Sequence, residues 1–217
     1  AVHSPLQAPD AYMAIPRCAR LKNSDRRTLC GMMAAVDEGI AKADVERGVS
    51  VLLTGDGKGK TSSAFGMVMR ALGYGQKVGV VQFIKGVQAS GEENFVRDHL
   101  PGVDLHQMGT GFTWDTQDRE SDIAAAKRTW EHALAMLGDA SYDLVVLDEL
   151  TYMLAFDYLP EDEVITALTG RPESQSVVVT GRGGGQALRE AMDTVSEVKE
   201  VKHAYRAGIR ARQGVDY

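Results

Sequence analysis

The sequence VSVLL (residues 49–53), followed directly by TGDGKGKTS (residues 54–62), has the pattern of a buried strand, a glycine-rich turn and the start of a helix. The second stretch fits the phosphate-binding template G-x-x-x-x-G-K-[ST], except that Thr54 occupies the position of the first glycine. A strand before the loop and a helix after it are the context in which this motif binds phosphates. The loop is therefore predicted to bind a nucleotide. The alternative is a structural glycine turn without a ligand.

The residue types of the loop match the needs of a triphosphate. Gly55, Gly57 and Gly59 can adopt positive φ and turn backbone N–H groups toward an anion, and the helix N-terminus adds partial positive charge. Lys60 supplies an ammonium group for the phosphates, and Thr61 supplies a hydroxyl for Mg²⁺. The predicted ATP-binding residues of the loop are Gly55, Asp56, Gly57, Lys58, Gly59, Lys60, Thr61 and Ser62.

Length and composition limit the class of protein. The 217 residues suffice for one sizeable core, and a formal net charge of −6 argues against broad nucleic-acid binding. Cys18 and Cys30 lack metal-ligand spacing and are expected to be free thiols in a reducing cytoplasm. No run of 18 apolar residues occurs and the N-terminus lacks the pattern of a secretory signal, so neither a membrane span nor a leader is expected.

The chain is predicted to have an arm and one domain. Residues 1–23 hold three of the six prolines without periodicity, which predicts an extended or partly disordered N-terminal arm. Residues 24–217 are predicted to form a single P-loop α/β domain, with a helix at about 24–46 and a mainly parallel sheet of about six strands covered by helices on both faces. The predicted strands are 49–54, 77–83, 103–108, 143–148, 176–181 and 194–201, and further helices are predicted at about 60–72, 91–100, 116–137 and 161–170.

An acidic pair ends one of the predicted strands. Four apolar residues precede Asp148 and Glu149, and ligands of parallel α/β sheets bind beyond the carboxyl ends of strands. An acid at this position can hold Mg²⁺ directly or through water. In a hydrolase the second acid would instead activate water, and these residues alone do not separate the two roles.

The stretch GTGFTW (residues 109–114) places Phe112 and Trp114 in a glycine-flanked loop after the third predicted strand. Large aromatic residues in a loop can be half-buried core residues. They can also form a platform for a large flat ligand at the same edge of the sheet as the phosphate loop.

An ordered set of stretches resembles the ATP:corrinoid adenosyltransferase family, whose phosphate loop reads G-N-G-K-G-K-T-T. The resemblance extends from about residue 47 to the C-terminus. It implies transfer of the 5′-deoxyadenosyl group of ATP to the cobalt of a reduced corrinoid, with release of triphosphate, in cobalamin biosynthesis or salvage. The stretches that carry it are TGDGKGKTS, GVVQFIKG, GTGFTW, VVLDELTYM, DYLP, TGRG and VKHAYRAGIRARQGVDY.

The resemblance also implies roles for particular residues. Phe112 and Trp114 match aromatic residues at the corrinoid face, where they displace the lower axial ligand of cobalt(II) and count with Lys60 as catalytic. Thr61 and Glu149 would hold Mg²⁺. The resemblance further implies a homodimer and a reduced flavoprotein as electron donor. Predicted ATP contacts outside the loop are Arg70, Lys85 and Arg182.

Two other functions remain open at this stage. A P-loop ATPase or kinase would use Glu149 as a catalytic base and release ADP. A non-catalytic carrier would bind corrinoid or nucleotide without forming a cobalt–carbon bond. Asp56 also departs from the family loop, which often has asparagine there, and the roles of Asp56 and of the glycine loop at residues 183–185 stay open.

Overall fold

The computed structural model describes residues 36–40, 42–84, 90–108 and 118–216. The chain divides into two units, Ala1–Glu46 and Arg47–Tyr217. In the first unit, residues 36–40 and 42 are helical and residues 43–46 are not, so the helix ends before the predicted residue 46. The predicted arm, Cys18 and Cys30 lie outside the described residues, and the grouping of residues 24–46 with the domain stays a prediction.

Within the described residues, the second unit has six strands and six α-helices, which alternate except that two helices lie between the fourth and fifth strands. The strands are β1 (Ser50–Thr54), β2 (Val78–Gln82), β3 (Val103–Gln107), β4 (Leu144–Asp148), β5 (Ser176–Thr180) and β6 (Thr194–Glu197). The helices are α1 (Lys60–Gly73), α2 (Gly91–His99), α3 (Arg119–Gly138), α4 (Leu150–Ala155), α5 (Glu161–Thr169) and α6 (Gln186–Ala191), followed by a 3₁₀ turn at Ala204–Ala207.

The strands form one sheet in the order β3-β2-β4-β5-β1-β6, and every neighbouring pair is parallel. The predicted α/β class and the parallel six-stranded sheet are confirmed. All carboxyl ends therefore meet at one edge of the sheet. β5 lies between β1 and β4, so the phosphate loop and the Asp148–Glu149 pair are separated by one strand.

Both faces of the sheet are buried, which explains why its central strands are apolar throughout. In β4, Val145 and Leu147 pack in one core with α3, α4 and α5, whereas Leu144 and Val146 pack in the other with α1. Helices thus cover both faces, as predicted. No helix among the described residues is long and apolar enough to cross a membrane.

Three elements differ from the sequence-based expectation. α4 and α6 were not predicted, and each has only six residues, which is too short for a clear helical period. β6 ends at Glu197 rather than at residue 201, because the chain then turns toward the phosphate loop, where the Val198 carbonyl accepts a hydrogen bond from Gly57 N at 2.7 Å.

Candidate functional site

The glycine-rich loop joins β1 to α1 at the carboxyl edge of the sheet. Gly59 precedes the helix with φ of 116°, a left-handed conformation that favours glycine. Gly57 lacks a positive φ, contrary to expectation, and is needed for a different reason. A Cβ at Gly57 would lie 2.7 Å from the Val198 carbonyl oxygen, so only glycine lets the segment that follows β6 approach the loop.

Thr54 replaces the first glycine of the template because its side chain has a structural task. It is fully buried, and its Oγ1 donates a hydrogen bond to the Gly183 carbonyl at 2.7 Å. Thr151 Oγ1 donates to the neighbouring Arg182 carbonyl at 2.8 Å. Thr54 thus links the glycine-rich loop after β5 to the start of the phosphate loop, and Thr151 links it to α4.

Lys60 is the first residue of α1 and is 7% exposed. Its Nζ donates a hydrogen bond to the Gly57 carbonyl at 2.9 Å, so the ammonium group lies within the turn of the loop. Burial lowers the pKa of Lys60, and the negative charge of Glu149 opposes that effect. A buried ammonium group with one carbonyl partner is well placed to bind an anion.

Asp148, at the end of β4, is 2% exposed and accepts hydrogen bonds from three neighbouring elements. Thr61 Oγ1 on α1 donates to Asp148 Oδ1 at 3.0 Å, and Thr180 Oγ1 on β5 donates to the same oxygen at 2.6 Å. Gln82 Nε2 on β2 donates to Oδ2 at 2.9 Å. Thr180 and Gln82 were assigned no role from the sequence, although they lie in TGRG and GVVQFIKG, two of the stretches that carry the family resemblance.

Glu149 lies beside this network in a left-handed conformation, with φ of 61°. Burial, followed by the negative charge of Asp148, raises the pKa of Glu149 to about 7. Its Oε2 is buried and has no hydrogen-bond partner among the described residues. An unpartnered carboxylate oxygen that is buried near a phosphate loop fits a cation or another positively charged ligand.

The oxygen donors at this edge also fit Mg²⁺. Thr61 donates its hydroxyl proton to Asp148, which leaves oxygen lone pairs for a cation, and Glu149 offers the unpartnered carboxylate oxygen. Within the described ranges, no cluster of three or more His, Cys, Asp and Glu side chains could hold a metal by itself. A cation here would therefore share its coordination with phosphates and water, as Mg²⁺ does.

A cavity of about 970 Å³ opens in front of these groups. Its lining includes the phosphate loop, Phe65 of α1 and Phe95 of α2. Such a volume is large enough for a nucleotide-sized ligand. Of the predicted site residues, the cavity is lined by Asp56, Gly57, Lys58, Gly59, Lys60, Thr61, Ser62, Glu149 and Arg182.

The remaining predicted residues divide into two groups. Gly55 does not line the cavity, and Arg70 lies exposed in the last turn of α1, also outside the lining. Lys85, Phe112 and Trp114 lie outside the described residues, so their roles stay predictions.

The C-terminal segment contributes to the site, although none of its residues was predicted to be a site residue. Asp216 Oδ1 lies 3.0 Å from Lys58 Nζ in the loop, and Gly214, Val215 and His203 also line the cavity. The stretch VKHAYRAGIRARQGVDY was part of the family resemblance, and this was the signal that could have identified it. Its charge pattern alone does not indicate a site, because runs of like-charged residues are ordinarily solvated.

A parallel sheet with a glycine-rich loop, a buried lysine and an acidic pair at its carboxyl edge defines a P-loop nucleotide-binding protein. Residues 46–217 match the family model described as ATP:corrinoid adenosyltransferase BtuR/CobO/CobP. The chain therefore belongs to the ATP:corrinoid adenosyltransferase family, and the resemblance seen in the sequence is confirmed.

Individual relatives agree with the family match. A corrinoid adenosyltransferase of Escherichia coli K12 is 56% identical over 182 residues, which cover 84% of this chain and 92% of the relative. Corrinoid adenosyltransferase CobA of Salmonella typhimurium LT2 is 53% identical over 182 residues, which again cover 84% of this chain and 92% of the relative. A corrinoid adenosyltransferase of Sinorhizobium sp. is 40% identical over 186 residues, covering 85% of this chain and 87% of the relative.

Proposed function

We propose that the cavity binds ATP with its triphosphate on the phosphate loop, so that carbon 5′ of the ribose faces the cobalt of a Co(I) corrinoid. Adenosyl transfer from ATP to a corrinoid is the activity of the family to which the chain belongs. The observation that carries the proposal is the match over residues 46–217, which contains both the loop and the acidic strand end.

The proposed reaction is a displacement at carbon 5′. The cobalt(I) electron pair forms the cobalt–carbon bond, the bond from carbon 5′ to the α-phosphate oxygen breaks, and its electrons leave on triphosphate. Cobalt(I) is itself a strong nucleophile, so no side chain has to remove a proton. The protein must instead align the reacting atoms, at about 3–3.5 Å, and stabilise the leaving group.

The described residues suit the second of these tasks. Lys58, Lys60 and Ser62 line the cavity together with the loop amides, and we assign them to the triphosphate. Thr61 and Glu149 are assigned to Mg²⁺, which, when bound, would neutralise charge on the leaving group. Arg182 lies at the cavity wall, where its charge acts on both Lys60 and Glu149. Phosphate contacts by Arg70 and Lys85 are proposed on the family resemblance alone.

Phe112 and Trp114 are assigned to the corrinoid. An apolar aromatic face would displace the lower axial ligand of cobalt(II), and the cobalt ion without that ligand would be easier to reduce. The same face would keep protons away from cobalt(I). The proposal includes a homodimer, a reduced flavoprotein as electron donor and a role in cobalamin biosynthesis or salvage, all of which rest on the resemblance.

Product analysis tests the reaction class. The protein should be incubated with ATP and a chemically reduced corrinoid, and the phosphates identified by ³¹P NMR while the corrinoid spectrum is recorded. We expect triphosphate together with the absorbance of a cobalt–carbon bond. ADP with orthophosphate would instead show an ATPase or kinase that uses Glu149 as base. Bound ligands without a new cobalt–carbon bond would show a carrier.

Trp114→Ala tests the corrinoid assignment separately. The variant should slow the reaction that starts from cobalt(II) more than the reaction that starts from chemically supplied cobalt(I), because only the first needs removal of the axial ligand. Rates measured in the two assays give the comparison. Equal losses in both would remove the proposed role of Trp114 while leaving adenosyl transfer intact.

A further inference from the structure

The buried Asp148 carboxylate is held by a chain of side chains that crosses the sheet. Gln107 Nε2 on β3 donates to Gln82 Oε1 on β2 at 2.7 Å. Gln82 Nε2 donates in turn to Asp148 Oδ2 on β4 at 2.9 Å. The other carboxylate oxygen of Asp148 accepts from Thr61 on α1 at 3.0 Å. Three strands and the helix of the phosphate loop are thereby joined.

The hydrogen bonds of this series of side chains all run in one direction, from Gln107 through Gln82 to Asp148. Because an ionised carboxylate only accepts hydrogen bonds, the amide group of Gln82 must present its NH₂ to Asp148, which leaves Gln82 Oε1 to accept from Gln107. The reverse orientation would place an amide oxygen against a carboxylate and an NH₂ against another NH₂. Asp148 therefore determines the orientation of the Gln82 amide, Gln107 supports that orientation, and Gln82 in turn holds one oxygen of Asp148.

The sheet does not need the Gln82 side chain to set its strand register. The Phe83 backbone N–H donates to the Asp148 carbonyl at 3.0 Å, and Met108 N donates to the Gln82 carbonyl at 3.0 Å. Main-chain bonds thus already connect β2 with both of its neighbours. The Gln82 side chain is 6% exposed, and burying a polar side chain is costly unless it forms hydrogen bonds. Both polar atoms of Gln82 belong to the hydrogen-bond series that leads through Asp148 to Thr61.

We propose that Gln82 is a positioning residue that orients Asp148, and through it the Thr61 hydroxyl, for the divalent cation bound with ATP. With its proton directed to Asp148, the Thr61 oxygen turns its lone pairs away from the carboxylate and offers them to the cation. This inference rests on the proposed binding of a cation–ATP complex at the loop, and does not depend on the corrinoid half of the reaction.

Gln82→Met removes the donor while keeping the side-chain volume close to that of glutamine. We expect Mn²⁺, titrated in the presence of ATP without corrinoid and followed by electron paramagnetic resonance, to bind about tenfold more weakly, as for other partners that orient a metal ligand. In turnover assays, kcat should fall while the KM for the corrinoid stays unchanged. Gln107→Met, which leaves the Asp148 donors in place but frees the Gln82 amide, should give a smaller loss in the same direction.

The matched control is Gln175→Met. Gln175 is also a fully buried glutamine, and its Nε2 donates to the Met136 and Asp139 carbonyls at 3.1 Å, before the start of β5. Its loss should lower the melting temperature at least as much as Gln82→Met, yet leave the Mn²⁺ affinity at the wild-type value. A general loss of stability would therefore be distinguished from a loss of positioning.

A second background tests the route through Thr61. In Thr61→Val, Gln82→Met should weaken Mn²⁺ binding no further, because the hydroxyl that it orients is gone. Wild-type Mn²⁺ affinity in Gln82→Met, a full further loss in the Thr61→Val background, or an equal Mn²⁺ loss in Gln175→Met would each overturn the inference. Because the titration requires no adenosyl transfer, failure of the proposed reaction would be seen separately in the product analysis.

Discussion

Carboxylates at opposite edges of the same sheet have contrasting environments. At the amino end, Asp193 accepts hydrogen bonds from Nη1 and Nη2 of Arg47 and from the backbone N–H and hydroxyl of Ser50. These partners lower the pKa of Asp193, with the Arg47 hydrogen bond as the largest cause. At the carboxyl end, Glu149 is buried with an unpartnered oxygen, and burial raises its pKa to about 7.

The difference separates a carboxylate that stabilises the fold from one that is available to a ligand. Asp193, directly before β6, is joined to Arg47 and to Ser50 at the start of β1. Both of its carboxylate oxygens accept hydrogen bonds. Glu149 is unfavourable in its charged form until a cation or the loop lysine compensates it. The unpartnered carboxylate of Glu149 lowers the stability of the fold, and the same carboxylate is available to bind a cation.

The largest expected effect is on activity, at the carboxyl edge. Lys60→Ala removes the buried ammonium group of the phosphate loop and should lower kcat/KM for ATP by at least about 100-fold, because charge on the leaving group loses its closest fixed cation. The control is Lys77→Ala, which removes a lysine that lies exposed over the Tyr142 ring. Initial rates of cobalt–carbon bond formation measure both, and a Lys60→Ala rate within threefold of wild type would contradict the assignment.

Glu149→Gln should increase the unfolding free energy of the protein while weakening its binding of a divalent cation with ATP. The folded-state pKa of about 7 lies above the ordinary value of 4.5, so the native state holds the proton more tightly and wild-type stability falls as pH rises through this window. The glutamine variant avoids that loss. It should gain on the order of 2 kcal/mol in unfolding free energy at pH 8 and almost nothing at pH 4.5.

Urea unfolding without nucleotide or divalent cation, at both pH values, measures this difference. The same variant should bind Mn²⁺–ATP more weakly than wild type. A variant less stable than wild type at pH 8 would mean that Glu149 is compensated in the folded protein, and the contrast with Asp193 would fail.

Asp193→Asn should act with the opposite sign. The folded-state pKa is depressed, so the stabilisation is present above the unfolded value and is lost as pH falls toward the folded one. After allowance for solvent screening, the variant should lose about 1 kcal/mol at pH 7. Unfolding curves at decreasing pH should converge with those of wild type, whereas kcat at pH 7 should not change. If the unfolding free energies of the variant and the wild type differed by the same amount at all pH values, the charge of Asp193 would not be what stabilises the fold.

The smallest expected effect concerns the C-terminal segment. Asp216 pairs with Lys58 and presents a carboxylate at the cavity that should hold the triphosphate. Asp216→Asn should therefore bind inorganic tripolyphosphate about twofold more tightly, because an exposed ion pair competes only weakly for the lysine. Calorimetric titration measures this, with Asp98→Asn as a control that removes an exposed, paired carboxylate on α2. Weaker binding would show that Asp216 instead helps Lys58 to bind phosphate.

Local patterns predicted most of the fold. The apolar runs that end at Thr54, Asp148 and Thr180 located three strands, because strands buried on both faces must be apolar throughout. Strand order is different, since it depends on contacts between distant segments, and nothing in the runs themselves places β5 between β1 and β4. For this reason the bridging roles of Thr180 and Gln82 could not be predicted.

The site was predicted where chemistry lies in one contiguous motif. Lys60 and Thr61 were found from the loop alone, and the structure brings both to the cavity with Glu149. Asp216 could not be inferred by the same reasoning, because its partner Lys58 is far away in sequence and a charged tail is ordinarily solvated. Gly57 was identified for the wrong reason, since the close approach of Val198 is a tertiary contact.

A crystal structure of the protein with ATP, Mg²⁺ and a cobalt(II) corrinoid would test the central claim most directly. We predict the triphosphate on the loop around Lys60, and the cobalt facing carbon 5′ of the ribose at a near-attack separation of about 3–3.5 Å. A nucleotide whose γ-phosphate faces an ordered water beside Glu149, with the corrin ring bound far from the ribose, would contradict the account.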